Sequence, residues 1–191
     1  PGDATYFIGD PDFSRRYLGT VWTNFTNGAI NGTSAATKGN YNWEKYNGTF
    51  DIYQTLTGLP SGTYKVKVQG FYRPGGKATA ATDQNAILYA GDTYTTPVKL
   101  IGSEGKTTNS ETPGFVHENT GLHLYVPDSQ ANASDAFDSG AYENELTFYV
   151  GTGGTITLGA RKTTTIGEDW TVIDNFRLFY LGNTITEDII D

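Results

Sequence analysis

Hydrophobic and polar positions alternate along most of the chain, in short stretches separated by clusters of Gly, Pro and Asn. A period of two belongs to strands. The clearest stretch runs from Thr63 to Arg73, with Tyr64, Val66, Val68, Gly70 and Tyr72 on one parity and Lys65, Lys67, Gln69, Phe71 and Arg73 on the other. Successive side chains of a strand point to opposite faces, so the first set is expected in the core and the second outward. Thr49 to Thr57 precedes it, with Phe50, Ile52, Gln54 and Leu56 on one face, and Leu59-Pro60-Ser61-Gly62 reads as the turn between them because Pro presets φ and Gly relaxes it. Further strands are expected at Thr5–Ile8, Thr20–Phe25, Asn85–Ala90, Pro97–Ile101, Leu122–Val126, Asn144–Val150, Thr155–Arg161 and Trp170–Leu181. A chain with about ten strands can form two packed sheets.

One segment departs from this pattern. After Pro127, Ala133, Ala136 and Phe137 fall at helical spacing between Asp128 and Ser139, and Gly140 offers a C-terminal cap. A single short helix covering a sheet edge or barrel end is expected there. Gly102–Gly121 and Pro74–Gln84 show neither period, and long loops of that kind are commonly functional.

Composition sharpens the all-β reading. There are 24 glycines, near twice the usual share of ~7%. With no cysteine, disulfides, thiolate metal sites and cysteine nucleophiles are excluded. Lys and Arg number 13 against 21 Asp and Glu, a net charge of −8, which argues against nucleic acid as a partner because phosphate binding needs a cationic surface. No apolar run approaches the ~20 residues of a membrane-spanning helix. The chain opens at Pro1 without an initiator methionine and closes on an acidic stretch. One domain over residues 1–184, followed by a tail or linker at 185–191 within a longer protein, is the expected organisation.

Few residues are candidates for catalysis. The histidines are His117, in the long loop, and His123, on an expected strand, and an esterase or lyase would have to use one of them. Glu143 and Glu145 lie about 7 Å apart on one strand face, within the range used for glycoside hydrolysis, but their alternation with Leu146 and Phe148 is that of a solvated face. Asp174 is a sharper signal. It lies on the parity of Trp170, Val172, Phe176, Leu178 and Tyr180, and a carboxylate among apolar groups needs compensation. A structural hydrogen-bond role and an oxygen-coordinated Ca²⁺ shared with Asp10 and Asp12 are both open.

Aromatic residues among amides are the other signal. Trp43 and Tyr46 lie in an Asn-, Gly- and Thr-rich stretch, Phe71 stands beside Gln69 and Arg73 on the outward parity, and Trp170 follows Asp169. Aromatic faces flanked by amides and carboxylates suit the apolar faces and hydroxyls of sugar rings. The alternative is that Trp22, Trp43 and their neighbours plug the core, which would suit a structural or adhesive module that binds no sugar. The four Asn-x-Ser/Thr sequences at Asn24, Asn31, Asn47 and Asn132 carry little information in so Asn- and Thr-rich a chain.

The run from Phe50 to Tyr64, Gln69-Gly70-Phe71-Tyr72-Arg73, and the closing Asp169-Trp170-Thr171-Val172-Ile173-Asp174-Asn175-Phe176-Arg177-Leu178 resemble strands of galactose-binding-domain-like jelly rolls. Asp12-Phe13 is similar to the opening of carbohydrate-binding modules of families 4 and 22. The helix ending in Phe137-Asp138-Ser139-Gly140 resembles accessory domains of polysaccharide-degrading proteins from anaerobic gut bacteria. The resemblance implies a non-catalytic module that tethers a secreted or surface protein, with its linked catalytic domain, to a polysaccharide such as xylan or β-glucan. It also implies a structural Ca²⁺, for which Asp174 matches the family's C-terminal aspartate while Ser14 stands where a glutamate is common. The expected sugar contacts are Trp43, Tyr46, Gln69, Phe71, Arg73, Asp169 and Trp170, with the loop end of the sandwich favoured over the sheet face.

Overall fold

The computed structural model describes residues 2–14, 21–30, 39–76, 83–104, 115–117 and 124–183, with the backbone alone at 115–117 and 124–125. Its strands are β1 (Gly2–Asp3), β2 (Ala29–Ile30), β3 (Trp43–Tyr46), β4 (Phe50–Leu56), β5 (Gly62–Arg73), β6 (Ala86–Ala90), β7 (Tyr94–Pro97), β8 (Phe115–His117), β9 (Leu124–Val126), β10 (Glu143–Val150), β11 (Ile156–Lys162) and β12 (Trp170–Gly182), with one α-helix, α1 (Gln130–Asp138). Ten strands form two antiparallel sheets. One runs β10-β5-β12-β3-β2, with β1 also on β12, and the other runs β4-β11-β6-β7, while β8 and β9 pair separately. The chain changes sheet between β3 and β4, β4 and β5, β5 and β6, β10 and β11, and β11 and β12, which winds it into an all-β sandwich of the expected class.

The main core lies between the sheets. From β5 it takes Tyr64, Val66, Val68 and Tyr72, the parity expected from the sequence, and from the facing sheet Ile52, Leu56, Leu88 and Leu158. The other parity of β5 is solvated only in its first half, where Lys65 and Lys67 pair with Glu145, while Gln69, Phe71 and Arg73 are buried. Phe71 is fully buried in a second core with Tyr142, Trp170 and Val172 beneath Ala133, Ala136 and Phe137 of α1. Strand parity is local and correctly identifies the outer face, but the helix that covers this face is more than fifty residues away in the chain.

That helix begins and ends where the sequence indicates. Ser129 accepts a hydrogen bond from the Asn132 amide (3.1 Å) as its N-cap. At the other end Gly140, with φ 88°, allows the Gly140 amide to reach Phe137 O (2.9 Å) and the Ala141 amide to reach Ala136 O (3.0 Å). Polar side chains then fasten α1 to the sheet. Gln69 Nε2 donates to Phe137 O and Ala141 O (2.8 and 3.0 Å), and Asn42 Nδ2 donates to Gln130 O and Ser134 Oγ (both 2.9 Å).

β12 departs from a single parity. Its register with β5 slips between Asp174 and Arg177, where Asn175 has φ 53°. Before this bulge Trp170 and Val172 face α1, and after it Phe176 and Leu178 enter the main core. One extra residue reverses the faces. Asp174, expected among the inter-sheet apolar groups, therefore lies on the Trp170 and Val172 side, opposite Gln69.

Other expectations are corrected. Thr5–Phe7 is a short 3₁₀ turn, and Phe25–Asn27 is another at the end of the strand expected over Thr20–Phe25, whose described residues meet β4 through a bridge from Thr23 to Tyr53 and the Asn24 side chain on Asp51 O. Trp22 packs with Phe13 and Phe176 in the core instead (ring centroids 5.4 and 4.8 Å). β7 ends at Pro97, and Leu100 makes only a bridge to Tyr72. The four-residue strand Trp43–Tyr46 was not foreseen. Most of Gly102–Gly121, together with His123, Asn31 and the 185–191 tail, lies outside the described residues.

Phe71→Ala tests the second core. Removing a fully buried ring is expected to cost about 3–5 kcal/mol in denaturant unfolding, whereas a solvated Phe would leave stability within about 0.5 kcal/mol.

Candidate functional site

Six of the seven side chains expected to contact sugar are buried, and only Tyr46, at 53% exposure, is open to solvent. Trp43 faces the main core, where its Nε1 donates to Phe25 O (2.8 Å). Gln69 and Phe71 lie under α1. Trp170 stands between Tyr46 and Arg73 in cross-strand register, with the Arg73 guanidinium 5.2 Å from its ring and its Nε1 donating to Glu44 Oε1 (2.9 Å). Arg73 also donates to Gly75 O and Glu168 O (2.8 and 3.0 Å). This row is a layered packing arrangement. The expected loop-end cleft of exposed aromatics is not assembled by these residues, because the same apolar rings that suit a sugar also suit a core.

Asp169 is fully buried in an ion pair with Lys162 and accepts from Tyr72 Oη (2.8 Å), which itself accepts from Asn85 Nδ2 (3.2 Å). Burial, and secondarily Asp169, push the Tyr72 phenol up. A buried pair of this kind chiefly penalises loss of either partner, so Asp169 joins the β11–β12 connection to the sheet opposite.

Asp174 has Oδ1 accepting from the Asn175 amide (2.8 Å), while its buried Oδ2 has no partner among the described residues. Burial first, then Asp12, Asp138 and Asp10, hold its carboxyl well above the usual range. A buried oxygen of this sort fits a cation. Among the described residues, however, no group of three His, Asp or Glu side chains gathers as a ready ligand set.

An open cleft lies on the outer face of the smaller sheet. Along β4 the polar parity is Asp51, Tyr53 and Thr55, and along β11 it is Thr157, Gly159 and Arg161. Tyr53 on β4, Gly159 on β11 and Tyr89 on β6 stand side by side in register. Gly159 is required there, since a Cβ would come within 2.3 Å of Ile52 O and 2.7 Å of Tyr53 Cβ. The space a side chain would need is taken by β4, so the strands lie close together between the two tyrosines.

Tyr89 reaches Asp51, its hydroxyl donating to Oδ1 at 2.5 Å, and the Arg161 guanidinium lies 4.4 Å from its ring. Burial raises the Tyr89 phenol pKa and the hydrogen bond to Asp51 raises it further, keeping it a neutral donor. The ring is only 4% exposed and serves as floor, whereas Tyr53 is half-buried and forms a wall. Gly91, Asp92, Thr155, Ile156 and Thr157 complete a cleft of about 500 Å³. Two carboxylates and one guanidinium line it, together with hydroxyls and an aromatic wall. That set suits a neutral ligand with many hydroxyl groups better than an anion. None of these residues was singled out from the sequence. The available signal was the polar complement of the Phe50-Ile52-Gln54-Leu56 face, with a glycine and an arginine at matching parity on β11.

No family model and no curated protein matches the chain. Similar solved structures include TmCBM61 in complex with β-1,4-galactotriose, at 14% identity and TM-score 0.45 over 91% of this chain and 97% of that one. Arabinose-bound MgGH51 α-L-arabinofuranosidase is 9% identical with TM-score 0.44 over 90% of this chain and 26% of that one. A cyclase from Fischerella sp. TAU is 12% identical with TM-score 0.37 over 93% of this chain and 97% of that one. At these identities and TM-scores no function passes from them to this chain.

The Trp170 row carries a pH signature. Desolvation raises the Glu44 carboxyl above its ordinary value, against the opposing effects of the Trp170 hydrogen bond and the Arg73 charge. A carboxyl that binds its proton more tightly when folded contributes stability below its unfolded pKa and loses it as pH rises through the folded pKa. Unfolding free energy is expected to decline as pH climbs out of the ordinary glutamate range. Glu44→Gln, which keeps an acceptor for Trp170, should flatten that decline in urea titrations at several pH values.

Proposed function

We propose that this protein is a carbohydrate-binding module that holds a neutral glycan in the outer-face cleft of the smaller sheet. The observation that carries the reading is the cleft walled by Tyr53 and floored by Tyr89, with Asp51 and Arg161 at its edge. A pyranose laid against Tyr53 would place an apolar ring face on the phenol while its hydroxyls meet Asp51, Arg161, Thr155 and Thr157. Asp51 is preorganised by Tyr89, so little ordering cost is added on binding. Such a module would be non-catalytic and act as an address, raising the local concentration of a linked catalytic domain on a polysaccharide in a secreted or cell-surface bacterial protein.

Affinity gels and calorimetry across xylan, β-glucan, mannan, pectin and host glycans test this. Tyr53→Ala is expected to weaken binding at least tenfold, about 1.4 kcal/mol, with an unchanged melting temperature. Wild-type protein that binds nothing in the panel would overturn the reading.

Structural Ca²⁺ at Asp174 is a second part of the proposal, supported by the unpartnered buried Oδ2 and by the neighbouring Asp10, Asp12 and Asp138. Asp174 would hold the ion together with oxygens of the Asp10–Asp12 turn, and the charge would relieve the buried carboxylate. Calcium at a hundred times its dissociation constant would then stabilise the fold by about 2.7 kcal/mol. Thermal unfolding in calcium and in chelator reads this directly, and Asp174→Asn should abolish the difference. Identical melting curves for the wild type in both would reject the ion.

A further inference from the structure

The outer face of β4 and β11 continues past the cleft. Beyond Thr55 and Thr157, whose hydroxyls are 3.0 Å apart, come Tyr53 with Gly159 and then Asp51 with Arg161. Alternation next brings Thr49 and Thr163, both exposed, to the same face. A second hollow of about 340 Å³ opens there, lined by Asn24, Asn27, Thr49, Phe50, Asp51, Lys162 and Thr163. Asp51 lines both hollows. From Thr155 to Thr163 the combined path follows β11 for about 26 Å, longer than one sugar ring requires.

The second hollow has a chemistry of its own. The Lys162 ammonium is turned away to Asp169, and the Lys45 ammonium is held on Asn27 O (2.6 Å). Asn24 donates to Asp51 O (2.9 Å), which fixes the turn against β4. The remaining surface is amide and hydroxyl. Asp51 Oδ1 is committed to Tyr89.

We propose that the Asn24–Asn27 turn, Thr49 and Thr163 form a second sugar subsite, joined to the first through Asp51. A single linear neutral glycan would then lie along β4 and β11 across both, with Asp51 Oδ2 accepting hydroxyls where adjacent rings meet. This rests on the reading of the Tyr53 cleft as a glycan site. The ligand is an internal stretch of chain, and Asp51 is the residue both subsites share.

The test is calorimetry with xylo-, cello-, manno- and β-1,4-galacto-oligosaccharides from disaccharide to hexasaccharide. Affinity is expected to rise at least tenfold between the disaccharide and the longer members of the series that binds. Thr163→Trp, an exposed substitution that fills the second hollow, should erase this gain while leaving disaccharide affinity within twofold. Asn27→Ala should reduce the gain without filling the space, and melting curves of both variants check that the fold is intact. Wild-type affinity that does not change with length, or a Thr163→Trp protein that keeps the gain, would overturn the second subsite while leaving the Tyr53 cleft standing. Absence of binding by the wild type to every series would remove both.

Discussion

Strand β12 crosses the centre of the larger sheet with apolar side chains on both faces, and burying both at once shapes the rest of the molecule. One face is met by the opposite sheet. The other would expose Trp170 and Val172, together with Phe71 of the neighbouring strand, to water. Helix α1 covers it, and the cover is more than an apolar contact. Gln69 bonds carbonyls at the helix end, while Asn42 and Gln130 exchange hydrogen bonds near its start. Buried amides hold register because leaving them unpaired costs more than the bonds themselves contribute.

The bulge at Asn175 follows from the same constraint. A strand with one fixed parity would send Phe176 and Leu178 to the side of Arg177 and Phe179 instead of to the main core. Inserting one residue lets the first half of β12 serve the helix-covered core and the second half serve the sandwich. Asp174 sits at the switch, beside carboxylates that raise the energetic cost of its charge. A bulge therefore places a charged group where neither core wants one, and this is why the residue stands out chemically.

α1 covers one half of the larger sheet's outer face and leaves the Lys65, Lys67 and Glu145 half to solvent, while the smaller sheet keeps an open outer face of its own. Its central outer position is Gly159, held to that identity by the backbone of β4. Tyr89 reaches across it to Asp51, and Tyr53 rises on the other side. The division of labour explains why the tryptophans are poor guides to the site. Trp22, Trp43 and Trp170 fill the cores, whereas the half-buried Tyr53 stands on the open face.

Much of the architecture was legible from residues close in the chain. Period-two alternation marked the core side of β5, and the spacing of Ala133, Ala136 and Phe137 with Gly140 beyond them marked α1, because strand parity, helical spacing and helix capping depend on neighbours within a few positions. Trp43–Tyr46 was missed because four residues give too short a pattern, and the continuous parity assumed for β12 failed because no local feature announced the bulge. The candidate contacts Phe71, Gln69 and Arg73 were assigned to the correct face, yet whether an outer face meets water is settled by α1 arriving from elsewhere. The cleft at Tyr53, Tyr89 and Arg161 likewise exists only after three strands distant in sequence pair in register. Side-chain direction is thus a property of adjacent residues, while exposure and convergence are properties of the packed sheets.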